Sequence, residues 1–106
     1  TGLGTAIVMI DRDDHPRVEC HRVLTDDERV GTLAATHLLD LGRKAIAHIG
    51  GPNIVHAKRR EKGWREAHSV RGIQIEPEWF VEGGFMEADG YRAMQQAHWQ
   101  AARRCD

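Results

Sequence analysis

Residues 45–63, AIAHIGGPNIVHAKRREKG, decide the fold of this 106-residue chain. Ala45–Ile49 is a short apolar run typical of a buried strand, and Gly50, Gly51 and Pro52 end it in a turn. After the turn, Ala57, Arg60 and Trp64 stand three to four residues apart, a spacing that predicts a helix. Strand, glycine turn and helix together make half of a βαβ unit, and ligands of open α/β sheets bind at the carboxyl ends of the strands.

Two polar side chains in the early turns of that helix are candidates for ligand binding. Arg60 carries a rigid, permanently charged donor fork that suits a carboxylate, a phosphate or a polar ring. His56 precedes it by one helical turn, so both side chains can face the same crevice. The basic run that includes Lys58, Arg59 and Lys62 leaves a second interpretation open, in which Arg60 belongs to a solvated basic face.

Further apolar runs extend the α/β pattern in both directions. Thr5–Ile10 is continuous and predicts a strand buried on both faces, whereas Val18–Leu24 alternates loosely and predicts an edge strand or a crossover. Trp79–Val81 predicts another buried strand. Three strands alternating with three helices predict an α/β fold with a parallel sheet and right-handed crossovers.

The helices carry recognisable end signals. Thr25 or Asp26 is predicted to cap the first helix, and Gly42 to end it as a C′ glycine. The second helix is predicted to stop near Gly72, and the third to open at Glu87. The core-facing stripe of the first helix is predicted to comprise six residues, namely Val30, Leu33, Ala34, His37, Leu38 and Leu41.

Two more candidate ligand residues stand where strands end. Asp11 follows the first strand, so its carboxylate either enters the crevice or only begins a turn beside Arg12. Phe85 follows Gly83 and Gly84, which permit a tight turn. Its ring either stacks on a flat ligand or closes the end of the core.

Composition excludes several functional classes. The formal net charge is −1 and the sequence pI is about 6.6, so the chain lacks the basic footprint of a nucleic-acid-binding domain. No apolar run approaches the ~20 residues of a membrane span, and no secretory pattern is present. Two cysteines suit a reducing cytoplasm. His15, Cys20 and His21 lack metal-ligand spacing, so no metal site is expected. Nucleophile-elbow, P-loop and dinucleotide motifs are missing, which argues against an enzyme and against a bound cofactor.

The order and spacing of several short motifs resemble those of the LacI family of bacterial transcription regulators. Residues 38–52, LLDLGRKAIAHIGGP, carry most of the resemblance, together with Ala57, Arg60, Gly63-Trp64 and the run 90–94, GYRAM. The likeness runs from Ile7 to about Gln96. It lies in the effector-binding core of that family, which shares its fold with periplasmic sugar-binding proteins.

The resemblance implies a partial, periplasmic-binding-protein-like core. Residues 1–22 would belong to the N-terminal lobe and residues 23–106 to an incomplete C-terminal lobe. The effector-contacting residues would be Asp11, His56, Arg60 and Phe85. The effector would be a small polar molecule, such as a sugar or a purine-like nucleobase. Operator DNA would be bound only through a helix-turn-helix domain missing from this sequence, and the regulator would be a cytoplasmic homodimer. The alternative is a periplasmic solute-binding protein of the same fold.

Overall fold

Four short strands and three helices alternate along residues 4–11 and 19–104, the parts of the chain described by this computed structural model. The strands are β1 (Val8–Ile10), β2 (His21–Val23), β3 (His48–Gly50) and β4 (Phe80–Glu82). The helices are α1 (Asp27–Asp40), α2 (Val55–Ser69) and α3 (Glu87–Arg104). A single 3-10 turn at Pro77–Trp79 leads into β4.

The strands form two separate parallel pairs. In the first, β1 lies beside β2 with Ile10 opposite Val23, and in the second, β3 lies beside β4 with Ile49 opposite Val81. The predicted parallel α/β pattern is therefore confirmed. β2 lies within the run 18–24, for which the sequence left an edge strand or a crossover open, so the described residues contain four strands. These four are divided between two sheets, and the expectation of one sheet was wrong. Both β3 and β4 also begin and end later than the apolar runs that predicted them.

The helix ends follow the local signals in the sequence. Asp26 caps α1 by accepting a hydrogen bond from the Arg29 backbone nitrogen at 3.1 Å. Past the last turns of α1 and α2, Gly42 and Gly72 adopt positive φ angles of 91° and 69°, which side-chain-bearing residues rarely adopt. The predicted cap and both helix stops are confirmed.

The buried face of α1 is not the face that the apolar pattern predicted. Its buried residues are Asp27, Gly31, Ala35 and Leu39, spaced four apart. The larger apolar side chains of the predicted stripe are exposed, with Leu33 at 55% and Leu41 at 65%, and His37 is exposed as well. The prediction was wrong because α1 packs against α2 through small residues, which allow the two backbones to approach.

Two glycines set the distance between α1 and α2. A Cβ atom on Gly63 would lie 2.6 Å from the backbone nitrogen of Thr32 and would overlap the carbonyl oxygen of Glu28. A Cβ atom on Gly31 would likewise overlap the carbonyl oxygen of Arg60. Gly63 thus permits close packing against α1, and this contact brings α1 beside the early turns of α2.

The core is organised around the indole of Trp64 on α2. Its ring stacks on His48 with centroids 5.1 Å apart, and its Nε1–H donates to the Ile46 carbonyl at 2.9 Å. The Trp64 carbonyl in turn accepts from Nδ1 of fully buried His68 at 2.8 Å. Because α2 supplies these contacts, the helix is fixed against β3 and the segment that precedes it.

The β1–β2 pair is far more exposed than its apolar sequence predicted. Val8 is 56% exposed and Ile10 71%, so the prediction of a strand buried on both faces was wrong. Within the described residues, this sheet has only two strands and no helix packed extensively against it. None of the helices in residues 4–11 and 19–104 is long and apolar enough to cross a membrane.

Candidate ligand-binding site

A cleft of about 620 Å³ opens where β1 and β3 end. All four residues that the sequence predicted for a ligand site, Asp11, His56, Arg60 and Phe85, line this cleft. The remaining wall is largely backbone and apolar and comprises His48, Ile49, Gly50, Gly51, Ile54, Val55, Ala57 and Gly84. The structure thus brings together side chains that are as many as 74 positions apart in the sequence, from position 11 to position 85.

Asp11 lies at the end of β1 in an unusual backbone conformation. Its φ is 57°, a left-handed value that is uncommon outside glycine and that Asp and Asn tolerate best. Its backbone N–H donates to the Val23 carbonyl at 2.7 Å, which continues the β1–β2 ladder by one bond. The predicted alternative partner, Arg12, lies outside the described residues.

A buried carboxylate that the sequence analysis did not select lies behind the cleft. Asp27 is 1% exposed, and its two oxygens accept hydrogen bonds from Arg60 Nε at 2.8 Å and His56 Nδ1 at 2.7 Å. Burial by itself raises the pKa of Asp27, but the hydrogen bonds and charges of Arg60 and His56 outweigh it and hold that pKa below its ordinary value. Asp27 is therefore ionised at neutral pH.

This arrangement fixes which groups His56 and Arg60 present to the cleft. An ionised carboxylate only accepts hydrogen bonds, so Nδ1 of His56 carries the proton that points at Asp27. In the neutral ring, Nε2 on the opposite side is then an acceptor. Arg60 uses Nε for Asp27, while its side chain as a whole is 50% exposed. The outer part of the guanidinium is consequently accessible from the cleft.

The cleft also has an aromatic wall. Phe85 follows Gly84, where an added Cβ would overlap the carboxylate of Asp89, so the Asp89 side chain packs directly on this glycine. Phe85 is 75% exposed and lines the cleft beyond the end of β4. Between the two predicted alternatives, this exposure excludes a ring that closes the core.

Asp11, Asp27 and His56 are close enough together to be considered as metal ligands. One potential ligand atom from each of Asp11, Asp27 and His56 lies within 4.8 Å of the others. Both oxygens of Asp27, however, already bind Arg60 and His56. The guanidinium supplies the positive charge that a metal would otherwise bring, so the chemistry of this cluster is that of an ion-paired network.

Comparisons with known proteins agree on one family. No family model matches the chain. The HTH-type transcriptional repressor PurR of Aliivibrio fischeri strain MJ11 is 34% identical over 82 residues, covering 76% of this chain and 24% of the relative. PurR of Pasteurella multocida strain Pm70 is 40% identical over 65 residues, covering 60% of this chain and 20% of the relative. A LacI family transcriptional regulator from Mycobacterium smegmatis superposes with a TM-score of 0.74 at 31% identity, over 96% of this chain and 35% of that one.

The homologues of this chain are LacI-family repressors. The LacI-family fold is further matched by the transcriptional regulator CelR in complex with cellobiose, with a TM-score of 0.75 over 92% of this chain and 37% of that one. At 23% identity, that likeness concerns the fold alone. The chain spans about a quarter of the length of the first curated LacI-family relative.

The sequence missed Asp27 because it treated the residue only as a first-turn acid of α1. The signal that identifies it is the four-residue spacing with Gly31, Ala35 and Leu39. Three small or apolar residues at that spacing mark the face of α1 that can approach another helix. A carboxylate at the start of that face must be buried, and a buried charge needs a partner.

Proposed function

We propose that this chain is part of the effector-binding core of a LacI-type transcription regulator, and that it binds a small polar effector in the cleft. The observation that carries the proposal is the convergence of Asp11, His56, Arg60 and Phe85 on one cavity of about 620 Å³. A cavity of this size suits a small molecule, since ligand sites range over about 300–1,000 Å³.

The side chains divide the work of recognition. Arg60 donates from the exposed part of its guanidinium and Asp11 accepts, while His56 presents Nε2 on the side of its ring opposite Asp27. Phe85 supplies an apolar face for stacking. A sugar, with hydroxyl groups at its rim and an apolar ring face, or a purine base, with polar edges and a flat ring, matches this combination.

The remainder of the regulator is proposed from the LacI-family relationship. Residues 1–22 would contribute to an N-terminal lobe and residues 23–106 to a C-terminal lobe, with the effector between them. Effector binding would control an operator through a helix-turn-helix domain outside this sequence. The regulator would act as a cytoplasmic homodimer.

A comparison of two adjacent arginines tests the site. Arg60→Lys retains the charge but loses the planar fork, so it should weaken effector binding by about 1.5–3 kcal/mol, which is roughly ten- to hundredfold. Arg59→Lys, at a position that does not line the cleft, should change affinity little. The measurement is calorimetry on the intact regulator with the tightest binder from a panel of hexoses, disaccharides and purine bases.

Melting temperatures of both variants serve as the control for folding. Equal and small losses of affinity would show that Arg60 is only part of a solvated basic face. Failure of every sugar and purine in the panel to bind the unsubstituted intact regulator would argue against the proposed effector class.

A further inference from the structure

The charge balance of the cleft depends on a residue that does not line it. Asp11 and Arg60 line the cleft with opposite charges, and Asp27 adds a second negative charge from behind. Oxygens of Asp11 and Asp27 lie within 4.8 Å of each other and of a nitrogen of His56. With His56 neutral, these groups sum to a formal charge of −1.

Without Asp27, the same cleft would attract anions. Arg60 is a guanidinium that suits phosphate and carboxylate. The first turn of α2 also borders the cleft, contains no acidic residue, and has Ile54 at its N-cap with no capping side chain. Uncapped N–H groups and the helix dipole favour a negative charge at such an end.

Asp27 opposes both attractions at close range. Its oxygen lies 2.8 Å from Arg60 Nε, and its burial weakens the screening that water would provide. The inner edge of the guanidinium is therefore already occupied by a carboxylate. A second anion at the outer edge would be repelled by Asp27 and Asp11 together, and like charges brought together cost several kcal/mol.

We propose that Asp27 is a specificity-determining residue that makes the cleft select uncharged polar ligands over phosphorylated or carboxylate-bearing ones. Asp27 neutralises the charge of Arg60, and its hydrogen bond with His56 Nδ1 leaves Nε2 of that ring, on the opposite side, as the acceptor. The inference rests on the proposed function, because it assigns the charge class of the effector. Within that function, it excludes sugar phosphates and nucleotides and retains free sugars and bases.

The test uses inorganic phosphate as the probe and a substitution that preserves shape. In Asp27→Asn, the amide oxygen still accepts from Arg60 Nε, and the amide N–H donates to His56 Nδ1 once the ring has changed tautomer. The substitution removes the charge, and the tautomer change also turns His56 Nε2 from an acceptor into a donor, so both effects of losing Asp27 favour an anion in the cleft. Asp40→Asn is the matched control, since it removes the same charge from an exposed position on α1 that pairs with Arg71.

Phosphate binding is followed in the 106-residue chain by the ¹⁵N-edited resonance of the Arg60 Nε–H group. We expect Asp27→Asn to bind phosphate at least about tenfold more tightly than the unsubstituted chain, and Asp40→Asn to match the unsubstituted chain. Equal gains in both variants would assign the effect to net charge and overturn the proposal. So would phosphate binding at Arg60 in the unsubstituted chain with the affinity of Asp27→Asn.

Circular dichroism establishes whether Asp27→Asn is folded. If Asp27→Asn does not fold, the unsubstituted chain still tests the proposal, because the proposal requires the Arg60 Nε–H resonance of that chain to keep its position as phosphate is added. A saturable shift would refute it. Binding of sugars and purines is scored in a separate titration, so failure of the proposed function and failure of the Asp27 assignment are distinguishable.

Discussion

Adding one methyl group at Gly63 should destabilise the chain, although the same change stabilises most helices. Alanine is favoured over glycine in a helix interior by about 1 kcal/mol. At Gly63, however, the new Cβ would lie 2.6 Å from the Thr32 backbone nitrogen and would overlap the Glu28 carbonyl oxygen. Both are backbone atoms, which cannot rotate away, so α1 and α2 must separate by roughly 1 Å to reach the normal packing distance.

The cost of that separation exceeds the gain in helix propensity. Overpacking costs about 1–3 kcal/mol, and disruption of a buried ion pair costs about 3–5 kcal/mol when one partner is lost outright. Because the separation stretches the Asp27–Arg60 pair without removing either residue, we expect Gly63→Ala to lose about 2–4 kcal/mol of unfolding free energy in total. The loss is measured by urea unfolding followed by circular dichroism.

Gly90 provides the matched control for this substitution. It also lies in a helix, α3, but an added Cβ there would meet nothing within 4 Å. Gly90→Ala should therefore leave stability unchanged or raise it by up to about 1 kcal/mol. If Gly63→Ala were as stable as the unsubstituted chain, the close helix contact and the reasoning built on it would be refuted.

Two further predictions concern pH and the face of α1. Burial lowers the pKa of His48 below its ordinary 6.5, and the hydrogen bonds and charges of Arg60 and His56 lower the pKa of Asp27 below its ordinary 3.8. As the pH falls, each group is therefore protonated in the unfolded chain before it is protonated in the folded chain, which destabilises the folded state. Urea midpoints should therefore decrease below pH 6.5 and again below pH 3.8, and a midpoint that rises on acidification would contradict the assignment. Leu39→Ala should cost about 2–5 kcal/mol because Leu39 is 5% exposed, whereas Leu33→Ala should cost less than about 0.5 kcal/mol. Equal losses of unfolding free energy in the two variants would contradict the observed packing face of α1.

Features with a local cause were predictable from the sequence. Asp26 caps α1 through a bond to a residue three positions away, and Gly42 and Gly72 end helices because of their own backbone freedom. The placement of Asp11 and Phe85 was also local in origin, since each follows directly from the end of a strand. From the residues alone each position kept a structural alternative, and it was the resemblance to the LacI family that joined Asp11 and Phe85 with His56 and Arg60 in one predicted site.

Features that depend on two distant segments were not predictable. The apolar count on α1 favoured the side with Leu33 and Leu41, although the helix buries the side with Gly31 and Ala35. The four-residue repeat from Asp27 to Leu39 marks the buried face, but only the approach of α2 shows that this repeat outweighs the larger apolar stripe. Asp27 was missed for the same reason, because its partners come from α2.

The ring of His48 belongs to two environments at once. It lines the cleft on one side and stacks on Trp64 at 5.1 Å on the other, so the wall of the cleft is also part of the hydrophobic core. An indole in contact with an imidazole has an emission that depends on the position and protonation of that imidazole. A ligand that displaces or protonates His48 should therefore change the emission of Trp64, one of the three tryptophans of the chain, without a label and without a DNA-binding assay.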